Sequence, residues 1–67
     1  MNQLIYNENT GRLELADYEF HCGDGLSVLI DNGSGPEWVD TRLEYANKSW
    51  YLVGLPGVNP TGLIARI

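Results

Sequence analysis

The sequence predicts an all-β fold, a small antiparallel SH3-like barrel of five to six short strands with at most a single 3₁₀ turn. Apolar residues alternate with polar residues in short runs, which eight Gly and three Pro separate along the 67-residue chain. No run shows the helical period of about 3.6 residues. Strands that recur about every 8–12 residues are typical of a barrel or a sandwich, and a barrel suits so short a chain.

The N-terminal third predicts two connected strands and a turn. Residues 4–6 form the first strand, and residues 7–11 form a polar turn that ends in a glycine able to adopt positive φ. Leucines alternate with charged residues over 12–15, so a second strand completes a hairpin. The alternation continues through 18–20, and the glycine-flanked segment 21–25 predicts a tight turn or bulge.

The central strand has its apolar residues mainly on one side. Leu26, Val28 and Ile30 share one face, while Leu29 interrupts the polar pattern of the other face. We therefore expect this strand to be covered on both sides. Residues 32–36 contain Asn, Gly, Ser and Pro and form the clearest turn in the chain.

The following strand has an apolar face and a polar face. The apolar face carries Val39, Thr41, Leu43 and Tyr45, and the polar face carries Trp38, Asp40, Arg42 and Glu44. Residues 47–48 are a candidate two-residue hairpin turn, although the usual glycine is missing. With this turn we expect Trp50 to pair near Glu44 and Leu52 to pair near Arg42.

The C-terminal region predicts a loop and a final strand. Residues 55–62 are rich in Pro and Gly and form the loop, with a 3₁₀ turn expected over 56–60. Residues 62–67 form the last strand, which we expect to pair with an early strand and to remove an exposed edge. The chain is predicted to be one small β-barrel domain over residues 1–67.

Composition excludes several classes of function. Nine acidic and four basic side chains give a net charge of −5, which argues against a partner recognised through DNA phosphates. One His and one Cys are too few for a usual zinc site, and we expect no cofactor. The lone cysteine favours a cytoplasmic location, and neither a membrane span nor a signal peptide is expected. A homodimer would let the small core share apolar surface.

Two groups of side chains are candidates for catalysis. Cys22 beside His21 suggests a nucleophile, but neighbours on a strand point to opposite faces. We therefore interpret Cys22 as a small buried hydrophobe, with a reactive thiol as the alternative. Asp40, Arg42 and Glu44 share one strand face and could form an acid–base site. Such a row is more often a solvated face with a weak ion pair, and we expect no enzyme.

A set of short motifs is shared with a known group of proteins. The motifs are His21-Cys22-Gly23, Trp38, Thr41-Arg42, Glu44-Tyr45, Trp50-Tyr51-Leu52-Val53-Gly54-Leu55, Gly62-Leu63 and Arg66-Ile67. Residues 21–67 thereby resemble a family of small uncharacterised proteins of Gram-positive bacteria that are often associated with mobile elements. The resemblance implies a compact bacterial cytoplasmic domain and supplies no activity to transfer.

The predicted function is a non-enzymatic interaction module. A protein partner would bind an aromatic–polar sheet face formed by Trp38, Arg42, Glu44 and Trp50, with Arg42 in cation–π contact with an indole. The alternative is weak binding of single-stranded nucleic acid by an accessory protein of a mobile element. In that case bases would stack on Trp38, Trp50 and Tyr51, although the few cations disfavour nucleic acid.

Overall fold

The computed structural model describes residues 2–67, which form eight β-strands in two antiparallel sheets. The strands are β1 (Asn2–Gln3), β2 (Ile5–Asn7), β3 (Arg12–Leu15), β4 (Tyr18–Glu19), β5 (Gly25–Asp31), β6 (Pro36–Ala46), β7 (Ser49–Leu52) and β8 (Ile64–Arg66). One sheet has the order β1-β8-β5-β6-β7, and the other has the order β2-β3-β4. The predicted all-β, antiparallel class is confirmed. Within residues 2–67 no helix is long and apolar enough to cross a membrane.

The first predicted strand is divided between the two sheets at Leu4. The Leu4 N–H donates to the carbonyl of Leu63 at 2.8 Å, and the Leu4 carbonyl accepts the N–H of Gly62 at 2.8 Å. These bonds attach β1 to the C-terminal segment, whereas β2 pairs with β3. One chain segment therefore connects both sheets, and the strand count reaches eight because short predicted strands are split.

The last strand occupies the position that the sequence predicts. β8 pairs with β1 through Gln3 and Ile64, and with β5 through Val28 and Ala65. An early strand thus covers one edge of β8, and the prediction that the final strand pairs with an early one is confirmed.

The core is built from the inner faces of both sheets. Nine buried apolar side chains form it, namely Leu4, Leu13, Leu15, Phe20, Leu26, Val28, Leu43, Leu52 and Ala65. The predicted shared face of β5 is confirmed, because Leu26 and Val28 are buried and Ile30 packs against the core. Leu29 points to the other side and is half-buried. Burial of these side chains from water provides the main favourable term for folding.

The turn between β6 and β7 is confirmed, but the register predicted across it is wrong. Asn47 and Lys48 have φ of 53° and 62°, the positive values that a two-residue type I′ turn requires. Such a turn pairs its two flanking residues, Ala46 and Ser49, with each other. One residue further along each strand, Tyr45 lies opposite Trp50. Trp50 therefore does not pair with Glu44. Because side chains alternate along a strand, this difference of one residue moves Trp50 to the opposite face of the sheet.

Two other connections differ from expectation. Ala16 and Asp17 connect β3 to β4 in a hairpin in which Leu15 pairs with Tyr18, and Ala16 has a φ of 53°. No turn is predicted from the sequence at this position, and alanine rarely adopts this backbone. Over 56–60 the chain forms a single turn at Pro56 and Gly57, and residues 2–67 contain no 3₁₀ helix.

Candidate functional site

The outer face of the five-stranded sheet points away from the core. The strand registers and the alternation of side chains place on it Ser27, Leu29, Trp38, Asp40, Arg42, Glu44, Tyr51, Ile64 and Arg66. Leu29, Trp38 and Ile64 are half-buried there, although the core lies on the other side of the sheet. The outer face therefore combines large apolar side chains with charged ones, whereas a fully solvated sheet face is mainly polar.

Trp38 is paired with an arginine from the last strand. The guanidinium carbon of Arg66 lies 4.0 Å from the centroid of the Trp38 ring, which is a cation–π contact. The predicted contact of an indole with Arg42 is wrong. β8 lies beside β5 on the side opposite β6, and Arg66 of β8 extends over β5 to contact the Trp38 ring. A cavity of about 500 Å³ opens beside the pair and is lined by Asn2, Leu15, Ala16, Trp38, Ala65, Arg66 and Ile67.

The charged row on β6 is divided between two partners. Arg42 Nε lies 3.1 Å from Glu44 Oε2, while the Asp40 carboxylate accepts a hydrogen bond from the Ser27 hydroxyl. The three side chains share a face, as predicted, but Asp40 is not joined to the ion pair. The Arg42 side chain is 56% exposed, so its ion pair with Glu44 contributes at most about 1 kcal/mol to stability.

Trp50 lies on the inner side of the sheet, near its edge. Its Nε1–H donates to the carbonyl of Gly11 at 2.8 Å, and its ring packs against the core. The Tyr45 ring meets it edge-on, with centroids 5.2 Å apart and an interplanar angle of 64°. The predicted surface of Trp38, Arg42, Glu44 and Trp50 is therefore split, with Trp50 on the side opposite the other three.

Two cavities flank the Tyr45–Trp50 pair. The first, here the cysteine cavity, has a volume of about 300 Å³ and is lined by Thr10, Gly11, Arg12, Cys22, Tyr45 and Trp50. The second, here the lysine cavity, has a volume of about 170 Å³ and is lined by Tyr6, Tyr45, Lys48, Ser49, Trp50, Asn59, Pro60 and Thr61. The two aromatic rings therefore separate two concave surfaces, and each surface carries one basic side chain.

Cys22 is exposed, and its interpretation as a buried hydrophobe is wrong. Cys22 and Gly23 are the central residues of a turn in which the Asp24 N–H donates to the His21 carbonyl at 3.1 Å. Gly23 has a φ of 88°, which a glycine adopts without strain. The turn directs Cys22 into the cysteine cavity and away from the core.

Asp24 organises the same turn through its carboxylate. Oδ2 accepts the His21 N–H at 2.8 Å and the Tyr18 hydroxyl at 2.9 Å. The His21 N–H, followed by the Tyr18 hydroxyl, stabilises the charged form and lowers the pKa of Asp24. The same bond raises the pKa of Tyr18, because the hydroxyl donates to the carboxylate. The His21 imidazole lies 3.7 Å from Asp24 and 3.8 Å from Glu19.

Sequence reasoning missed Arg66, Tyr45 and Lys48 as surface features. Alternation along the last strand could have identified Arg66, because Ala65 faces the core and places its neighbour on the outer face. Tyr45 is predicted on the apolar face and does lie there, but it is 47% exposed because β6 extends beyond the core. No local signal marks Lys48 as the rim of a cavity, since residues 59–61 form the opposite wall.

The fold and these surfaces define a small two-sheet β domain. A family model described as a domain of unknown function, DUF5348, matches residues 2–67. The chain therefore belongs to the DUF5348 family, whose match extends beyond the segment 21–67 that carries the resemblance in the sequence. No curated protein and no solved structure matches the chain.

Proposed function

We propose that this domain is a non-enzymatic interaction module that binds a protein partner through the outer face of its five-stranded sheet. One observation carries the proposal. Trp38 and Arg66 stack on one another on that face, beside a cavity of about 500 Å³. Tryptophan and arginine are, with tyrosine, the residue types enriched among the side chains that dominate protein–protein binding energy.

The surroundings of this pair have the composition of an interface. Half-buried Leu29 and Ile64 provide apolar area near Trp38, and the Arg42–Glu44 ion pair provides a polar rim. An apolar side chain of the partner would enter the cavity, and the rim would fix its orientation. The net charge of −5 favours a partner of basic character, because complementary charge accelerates association.

The test is capture of the partner by the domain and by single variants. Trp38→Ala, Arg66→Ala and Arg42→Ala are expected to abolish or reduce capture in a pull-down while circular dichroism stays native. Ile5→Ala is the matched control, because Ile5 is an exposed apolar residue of the other sheet. Unchanged capture by Trp38→Ala, or loss of folding in all three variants, would contradict the proposal.

We propose that the domain acts in the cytoplasm of a Gram-positive bacterium and is associated with a mobile element. The resemblance of residues 21–67 and the single cysteine support this setting. A homodimer formed through the outer face is the second arrangement that we propose, because a second copy could cover the same apolar residues. Size-exclusion chromatography with light scattering measures it, and a monomer at all concentrations would exclude it.

A further inference from the structure

We infer that the Tyr45–Trp50 pair and its two cavities form a binding site for a nucleotide unit, either free or within a single strand. A base would stack on Tyr45 and a phosphate would contact Lys48. This site goes beyond the proposed protein interface, because it lies on the opposite side of the sheet from Trp38. The site shares Trp50 with the stacking surface that the sequence predicts, whereas Trp38 and Tyr51 of that surface lie on the outer face.

The distribution of charge around the two cavities favours an anion. The chain has nine carboxylates and four cations, yet within residues 2–67 each cavity is lined by one cation and by no carboxylate. Arg12, in the cysteine cavity, also lies 3.5 Å from Glu19 and is partly neutralised. Lys48 takes part in no ion pair among the described residues, so it is the better phosphate contact.

The aromatic side chains favour a planar group beside that anion. Trp50 is fixed by its hydrogen bond to Gly11 and holds Tyr45 edge-on, which leaves the Tyr45 side chain 47% exposed. A fixed, exposed ring is a stacking platform for any base, since every base has a π-face. Tyr6, 45% exposed, lines the same lysine cavity and supplies a second ring.

Polar groups on the far wall complete the lysine cavity. The Asn59 Oδ1 accepts the Thr61 N–H at 3.0 Å, which orients the amide and leaves its Nδ2 group to donate. Together with the hydroxyl of Ser49, this amide offers donors to phosphate or base oxygens. Nucleotides combine a planar ring with an anion in one unit, and this cavity presents a partner for each part.

The test is fluorescence anisotropy of a labelled oligothymidylate titrated with the full chain at low salt. A dissociation constant of about 10⁻⁴ M is expected, which is the weak end of the range for non-specific binding of nucleic acid. The negative net charge of the domain opposes binding and places the value at that end. Tyr45→Ala should weaken binding by about 5- to 150-fold, the range found for loss of one stacked base. Tyr45→Phe should retain binding, because the ring face remains.

Two further comparisons keep the result independent of folding. Tyr51→Ala is the matched control, since Tyr51 is 44% exposed on the neighbouring strand but on the other face, and it should bind like the unmodified chain. The slope of log K against log salt is negative, and Lys48→Gln should reduce its magnitude by about 0.7, the value for one phosphate on a single strand. Lys48→Arg should restore that slope. Circular dichroism of each variant shows whether it is folded.

The ligand source is distinguished by competition with adenosine monophosphate. Displacement of the oligonucleotide at comparable concentration supports a site for free nucleotides, and failure to displace it supports a site for single strands. The inference is overturned if no anisotropy change occurs at about 1 mM protein in low salt. Equal losses in Tyr45→Ala and Tyr51→Ala overturn it as well. Binding of an acidic tyrosine-containing peptide without binding of the oligonucleotide would also overturn the inference.

Discussion

Replacement of Trp50 by phenylalanine should destabilise the domain more than the same replacement of Trp38. Trp50→Phe removes the 2.8 Å hydrogen bond to Gly11, which joins residues 39 positions apart. A hydrogen bond of this kind contributes about 0.5–1.5 kcal/mol, and the smaller ring buries less apolar area. We therefore expect a loss of about 1–2 kcal/mol out of a total of about 3–10 kcal/mol for a domain of this size.

The matched variant is Trp38→Phe, because it makes the same replacement on the outer face of the sheet, where Trp38 contacts Arg66. Its cost should stay below about 1 kcal/mol, since the new ring retains part of the cation–π contact. Thermal unfolding followed by circular dichroism should show Tm lowered by about 4–16 °C for Trp50→Phe and by less for Trp38→Phe. Urea unfolding provides the free energies. Equal effects of the two substitutions would refute the assignment of Trp50 to the inner side.

Three further predictions concern turns. Ala16→Gly should stabilise the domain by up to about 1 kcal/mol in urea unfolding, because glycine adopts the positive φ of Ala16 without strain; destabilisation would show that this backbone is not strained. Because hydrogen bonds lower the pKa of Asp24, its contribution to stability is present above its ordinary pKa and is lost as the pH falls through the lowered value. The Asp24 carboxyl should therefore titrate below its usual value of 3.8 in an NMR titration, and a midpoint at or above that value would contradict the turn geometry. Exposed Cys22 should react with a thiol reagent in the folded domain at nearly the rate of the urea-unfolded chain, and strong protection would place it in the core.

Most of the strands and hairpins could be predicted from local sequence. Turn residues at 7–11, 32–36 and 47–48 mark three hairpins, and each lies where the residue types predict. The apolar alternation in β5 identifies its core face. The Ala16 hairpin could not be predicted, because a positive φ at alanine is imposed by the surrounding pairing of β3 with β4.

The site was less predictable, because it depends on register and on distant contacts. An error of one residue in the pairing of β6 with β7 is enough to move Trp50 from one face to the other. The contact of Arg66 with Trp38 depends on the position of β8 beside β5, which alternation alone does not give. Cys22 is exposed because a glycine turn directs it outward, whereas its residue type favours burial.

Binding of a protein partner at the Trp38–Arg66 pair is tested most directly by quantitative affinity capture from the native host. Unmodified domain, Trp38→Ala and Tyr45→Ala would be compared by mass spectrometry, because the two variants each remove one ring from opposite faces of the same sheet. We predict that a specific protein is enriched by the unmodified domain and by Tyr45→Ala but is lost with Trp38→Ala, while all three proteins are folded. Retention of that protein by Trp38→Ala, or its loss with Tyr45→Ala alone, would contradict a partner site on the outer face.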